Sequence, residues 1–266
     1  MKERILDWRN RRSWLNSIRF YAHDLLPEQT REYLQRERPN CWADDPAWLP
    51  NHEVLVPAFC ERMSKYYTHV KAFHGCRPES LTLYYSHGLL GQDSKRIASK
   101  FREIFADVSP AEIDRAIEQS QSGGEPGKIF LTADDGKMIN GFGHYVIHGS
   151  EYLLGLATKL TRSNPDEDYR QRLRTLGIPT VLEVDIPVSY LTHRQQLSLA
   201  KTILAAWGQL QTRRALSMGS APCYVIGQNI PPECIKGHYH PAHIHDAHSA
   251  SGEMYINYKT ACDMCE

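Results

Sequence analysis

Apolar and polar residues alternate at two different periods along this chain, and the period changes near residue 70. The first seventy residues read as mostly helical. Pro27-Glu28-Gln29 opens a polar, helix-compatible run, and Pro39, Pro46 and Pro50 break the stretch after it. Pro57 then opens another helix, with Phe59, Met63 and Tyr67 at helical spacing. Val70-Lys71-Ala72-Phe73 is short and β-compatible and ends at His74-Gly75. Pro78 and Glu79 begin a short helix that closes near Gly88. Ile97, Phe101, Ile104 and Phe105 form one apolar stripe, and Ser109-Pro110-Ala111-Glu112 is a capping box ahead of Ile113, Ala116 and Ile117. After a loop over 121–127, Lys128 to Thr132 predicts a strand, Asp134-Asp135-Gly136 a turn, and His144 to His148 a further strand. Ser150 is placed to cap a helix carrying Tyr152, Leu153, Leu156 and Leu160. Thr180 to Ile186 alternates like a strand, Thr192 caps a long helix, and Cys223 to Ile226 and Met254 to Tyr258 are short strands. Strands scattered among helices, without regular βαβ alternation, predict an α+β fold.

Composition narrows the classes. Of 266 residues, 41% are hydrophobic, enough for one large core or one domain with helical additions. Lys+Arg and Asp+Glu are equal at 31 each, which argues against bulk electrostatic binding to nucleic acid or to an anionic membrane. No apolar run of about 18 residues exists, so no membrane span is expected. The first nine residues are charged throughout and hold no apolar signal core, and seven cysteines stand at irregular spacing. Reduced thiols and a cytoplasmic location are therefore expected.

The candidate chemistry centres on Phe73-His74-Gly75-Cys76-Arg77-Pro78-Glu79-Ser80 and the Tyr84-Tyr85-Ser86-His87-Gly88-Leu89 beyond it. A histidine at a strand end with glycine next to it presents an imidazole beside open backbone. Such an edge can bond a flat amide or a ribose hydroxyl, and a side chain at position 75 is expected to fill the space a ligand needs. The plainer reading is a strand, turn and helix in which His74 satisfies a buried carbonyl.

Strand, His-Gly, short helix and Gly88-Leu89 together resemble the opening of the ADP-ribosyltransferase fold, as in poly(ADP-ribose) polymerases, many bacterial toxins and RNA 2′-phosphotransferases. Gly127 to Leu131 resembles that family's second strand, preceded here by two inserted helices. Gly143 to Leu153 resembles its tyrosine- and serine-bearing segment, and Ile230-Pro231-Pro232-Glu233-Cys234-Ile235 a phrase found late in many members. The resemblance covers roughly residues 70 to 258. It implies a split mixed sheet with a helical N-terminal region over 1–69, a catalytic domain over 70–258 and a tail over 259–266. It also implies NAD as substrate, cleaved at the nicotinamide–ribose bond, with ADP-ribose passed to a protein, a nucleic acid, a small molecule or water, in a toxin-like manner. His74 and Gly75 would anchor NAD, Arg77 would meet its pyrophosphate, Tyr145 or Tyr152 would stack on nicotinamide, and Ser150 would bond the amide. The family's third motif departs from pattern, since its glutamate position falls near Cys223. Either Glu253, at the head of a later strand, is the ribose-orienting acid, or the chain lacks that glutamate, as some mono-transferases do.

Two other features support a different class. His238, His240, His243, His245 and His248 crowd into eleven residues, with Cys262 and Cys265 nearby. Mixed imidazole and thiolate ligands suit zinc, but the spacing matches no standard finger, and no metal ligand is assigned. Arg9, Arg11, Arg12 and Arg19 sit near Trp8, Trp14 and Phe20, a pairing that can bind single-stranded nucleic acid, although an amphipathic helix with its arginines in water is the plainer reading. Together these make a zinc- or nucleic-acid-binding module the alternative to a transferase. Glu183 and Asp185 share a face of one strand, where a paired-carboxylate role stays open.

Overall fold

The computed structural model describes residues 3–120, 126–213, 221–249 and 252–265, so most of the expected loop at 121–127 lies outside it. The fold is α+β. Along the chain, β1 (Ile5–Leu6) is followed by three helices, α1 (Arg11–Tyr21), α2 (Glu28–Glu37) and α3 (His52–Tyr66). Then come β2 (His69–Cys76), α4 (Thr82–His87), α5 (Ser94–Ile104), α6 (Pro110–Glu118) and β3 (Ile129–Thr132). The chain continues through α7 (Asp135–Gly141), α8 (His144–His148), α9 (Glu151–Ser163), α10 (Tyr169–Leu173) and β4 (Thr180–Pro187). It ends with α11 (His193–Gln211), β5 (Cys223–Ile226), β6 (Ile235–Tyr239), β7 (His243–His245) and β8 (Met254–Ile256). No helix among the described residues is long and apolar enough to cross a membrane.

Short polar side chains set several helix starts. Asp93, Asp134 and Ser150 each accept a backbone N–H of the first turn of α5, α7 and α9. Thr192 and Gln195 form a reciprocal capping box on α11. Five local expectations differ from the structure. α4 begins at Thr82 rather than at Pro78, and Asp134-Asp135-Gly136 opens α7 rather than forming a turn. Ser109 sits at the cap of α6, but its side chain makes no capping bond. Pro57 lies inside α3, which begins at His52 after Asn51 turns the chain through a left-handed φ of 55°. His144 to His148 is a helix rather than a strand. Its five residues are too few to show a period, and Val146, Ile147 and His148 are buried in succession, so neither a strand's nor a helix's alternation is written there.

The main sheet has the order β5-β3-β2-β4-β6, with β1 beside β2. β1 runs parallel to β2, while β2 and β3 are antiparallel, as are β4 and β6. β7 and β8 form a separate antiparallel hairpin. The chain divides into two compact units, and the division is not linear in sequence. One comprises Met1–Ala72 with Asp185–Tyr224, the other Phe73–Val184 with Val225–Glu266. In the first, α3 and α2 pack on α11, whose Leu199, Ile203, Leu204 and Trp207 are buried. The second holds two apolar clusters. Phe101, Phe105, Ile113, Leu156 and Leu160 join α5, α6 and α9. Phe73, Met138, Val146, Ile147, Val181 and Ile244 join β2, α7, α8, β4 and β7.

Candidate functional site

The segments of the family resemblance from Phe73 to Leu153 and from Ile230 to Ile256 lie in the second unit, while Asp185 and Cys223 lie in the first. β2 meets β3 at Phe73 and Thr132, and the His74 Nδ1 lies 3.0 Å from the Phe130 carbonyl. A carbonyl only accepts, so Nδ1 carries the proton and Nε2 is the ring's lone-pair nitrogen. Burial pushes the His74 imidazole below its ordinary value, which keeps this neutral tautomer. Next along β2, a Cβ built on Gly75 would lie 2.9 Å from Val146 Cγ2 and 3.0 Å from Met138 Sδ. The glycine therefore seats β2 against α7 and α8; the space a side chain would take is filled by protein.

Further along, Gly88 ends α4 at a φ of 78°, and a Cβ there would lie 2.0 Å from the Ile230 carbonyl oxygen. Only glycine lets the two backbones meet at this spacing. Leu89 and Ile230 then exchange both backbone hydrogen bonds at 2.9 Å, which joins the Gly-Leu step to the Ile230-Pro231-Pro232 phrase.

Arg77 has a different role from the one expected of it. Its Nε donates to the Leu176 carbonyl and Nη1 to that of Ile147. Nη2 donates to the Arg174 carbonyl and, at 3.2 Å, to Tyr255 Oη. These donors hold the chain together, and burial lowers the Arg77 pKa. Ser150 accepts the Leu153 N–H at 3.0 Å as the cap of α9. Tyr152 packs against the α5–α6–α9 cluster. Tyr145, half-buried on α8, stands 4.2 Å from the His144 ring and donates its hydroxyl to Glu151 at 3.0 Å. Glu253 is exposed just before β8, and its carbonyl accepts the Asp246 N–H. Tyr255, two residues on, lies within the Arg77 cage and against the Phe73 cluster, so β8 is tied to β2.

Five histidines form two groups, with His243 and His245 apart from both on β7. His144, His148 and His248 gather around a buried ion pair between Arg174 and Asp246; His148 is 2% exposed and its Nε2 accepts from Arg174 Nε at 3.3 Å. Burial, then the Arg174 charge, pushes the His148 imidazole down to about 4. His238 and His240 instead meet the C-terminal cysteines. The ligand atoms of His238, His240, Cys262 and Cys265 all lie within 4.8 Å of one another. Sequence reading marks all five histidines from His238 to His248 without dividing them. His-x-His recurs at His243 and His245 on β7, so that spacing does not separate the pair, and only the folded chain sets His238 and His240 against the two cysteines.

Near the N-terminus, Trp8 and Trp14 are buried and stacked at 5.2 Å, and the Trp14 indole donates to the Trp8 carbonyl. Neither offers a face to a nucleic-acid base. Phe20 is exposed under Arg19. Asp185 is buried with Lys71 at 4.0 Å, which gives that carboxylate a cationic neighbour within its own unit.

No protein-family model, curated protein or solved structure matches this chain.

Proposed function

We propose that the chain is an NAD-dependent ADP-ribosyltransferase, or an NAD glycohydrolase when water is the acceptor. The observation that carries this reading is the convergence of the five separated segments that suggest it. His74-Gly75 meets Phe130 and Val146 at the β2–β3 pair, Gly88-Leu89 meets Ile230, and Gln92, three residues past Leu89, bonds the backbone of Gly127 and Lys128 in the same unit.

In this reading His74 Nε2 accepts a ribose hydroxyl, with the ring fixed by the Phe130 carbonyl. Tyr145 stacks on nicotinamide and Glu253 orients the ribose beside it. Arg77, Ser150 and Tyr152 support the frame, since their polar groups or rings are used within the protein. The C1′–nitrogen bond breaks with its electron pair leaving on nicotinamide, and an acceptor nucleophile bonds to C1′ through an oxocarbenium-like state. Positioning the dinucleotide and stabilising that developing positive charge are the protein's contributions.

The test is release of nicotinamide from carbonyl-labelled NAD, with adenine-labelled NAD in cell lysate reporting transfer. His74→Ala is expected to lower turnover roughly 10- to 100-fold, the loss of one well-placed hydrogen bond, in a variant that still unfolds cooperatively above the assay temperature. Wild-type chain that releases no nicotinamide with any acceptor class, or a His74→Ala variant of normal turnover, would overturn the reading.

A further inference from the structure

We propose that His238, His240, Cys262 and Cys265 bind one zinc ion in a closed structural site that fastens the C-terminal segment to the edge of the sheet. The inference rests on the geometry of these four side chains and is independent of any reaction with NAD.

The spacings among His238, Cys262 and Cys265 are those a tetrahedral ion imposes, and His240 completes a set of four within 4.8 Å. Cys262 Sγ and Cys265 Sγ are 3.7 Å apart, and each lies 3.5 Å from His238 Nε2. Zinc bonded at its usual lengths to sulfur and imidazole holds two sulfurs about 3.8 Å apart, and a sulfur about 3.6 Å from a nitrogen. A disulfide would need the sulfurs at about 2.05 Å.

Both imidazoles are oriented as ligands by a second layer of bonds. His240 Nδ1 lies 3.1 Å from the Pro179 carbonyl and 3.1 Å from Thr180 Oγ1. The carbonyl fixes the proton on Nδ1, which leaves the Nε2 lone pair facing the cluster. That Nε2 is buried and has no hydrogen-bond partner, a costly state for a polar atom unless an ion meets it. His238 Nδ1 lies 2.8 Å from Tyr85 Oη on α4, so its Nε2 also faces inward. The intervening Tyr239 turns the other way and donates to Asp135 Oδ2 at 2.5 Å, as strand alternation requires. In the Cys-x-x-Cys turn, the Cys265 N–H donates to the Cys262 carbonyl, and the Cys262 N–H donates to Cys265 Sγ at 3.4 Å, which holds the two sulfurs on one side.

The site explains why the tail has a place at all. Residues from Tyr258 to Cys265 are exposed apart from half-buried Cys262 and belong to no helix or strand. Asn257 anchors the chain at Pro241 and Lys259. Beyond Lys259, the hydrogen bonds that hold the segment to the rest of the unit run through the two sulfurs to His238. Four protein ligands leave no open coordination position, so the ion's role is structural rather than catalytic.

The experiment uses the full chain, expressed with zinc and purified under reducing conditions. One zinc per chain is expected by elemental analysis. Exchange for Co2+ should give the intense visible bands of a tetrahedral ion and a thiolate-to-cobalt charge-transfer band. Cys265→Ser, on an exposed tail position that should not disturb folding, is expected to lower retained metal more than tenfold, and His240→Gln likewise. His243→Gln, on the separate β7–β8 hairpin, should retain it. Trypsin should release residues 260–266 by cleavage after Lys259 far faster once phenanthroline has removed the ion. Less than a tenth of a metal ion per chain, a Cys262–Cys265 disulfide in the reduced preparation, or equal metal loss in His243→Gln would overturn the site. Metal bound with cleavage unaffected by the chelator would overturn its role as a fastener.

Discussion

Protonation of His148 is coupled to folding. The residue is buried beside the Arg174–Asp246 ion pair, with His144 and His248 also facing it, and it accepts a bond from Arg174 as a neutral ring. Burial and the Arg174 charge hold its pKa near about 4, below the ordinary imidazole value of 6.5. The unfolded chain therefore binds a proton at a pH where the folded chain does not. The stabilisation is complete above about pH 6.5, falls as the pH drops toward about 4, and changes no further below that, with a span of at most about 3 kcal/mol. Urea midpoints read at intervals from pH 7 to pH 4 should show this slope, and His148→Asn should flatten it. An unchanged slope in the variant would assign the acid sensitivity elsewhere, to His74 or His144, whose pKa values burial also lowers. The residue scale is also where sequence reading is most exposed to error. Arg77 and Ser150 have the types a ligand would want, yet a guanidinium and a hydroxyl serve backbone carbonyls and N–H groups equally well. Only the folded chain shows Arg77 meeting three carbonyls from residues 70 to 99 positions away.

Between elements, the contact that decides how β2 meets α7 and α8 is made at Gly75. Val146 Cγ2 is a branched core methyl on a fully buried residue and cannot swing aside, whereas Met138 can bend. Gly75→Ala is therefore expected to cost about 1–3 kcal/mol through overpacking. Val146→Ala should relieve it, so that the double variant is more stable than the two single losses would sum to by at least about 0.5 kcal/mol. Additive losses in chemical denaturation would mean that the two positions do not touch. Long periodic elements are legible in the sequence. Thr192 and the apolar positions after it mark α11, and the strand over Thr180–Ile186 forms as its alternation suggests. α8 escapes such a reading because Tyr145-Val146-Ile147 has strand propensity, and the glycines bounding it at 143 and 149 suit a turn at the end of either element. Gly143 is packed, since a Cβ there would lie 2.3 Å from the His245 carbonyl oxygen. That approach between elements about a hundred residues apart decides the local structure, and local sequence does not carry it.

For the whole molecule, the long-range order of the chain decides which parts can stand alone. In sequence, residues 1–69 read as a helical N-terminal region packed on the core of a domain over 70–258. The contacts group residues 1–72 with 185–224. Within that group, Gly208 of α11 lies where a Cβ would be 2.7 Å from the Trp48 ring. Gln209 donates to the Cys41 carbonyl, and Ser64 donates to Gln196 at 3.0 Å. The Val188 N–H also bonds the Thr68 carbonyl at 2.9 Å. Periodicity shows that α11 has an apolar face; it does not say which helices, far earlier in the chain, cover it. Removing residues 1–72 should uncover Leu199, Ile203, Leu204 and Trp207 together. Each fully buried apolar side chain of this size contributes about 1.5–3 kcal/mol, so their joint exposure is comparable to the whole stability of a domain. Chain 73–266 is therefore expected to aggregate or to bind the dye ANS strongly, and to unfold without a cooperative transition. Size-exclusion chromatography and ANS fluorescence check this directly. A monodisperse 73–266 chain with a sharp transition would mean that α11 finds another partner once α2 and α3 are gone. The sequence from Phe73 onward would then be a domain in its own right.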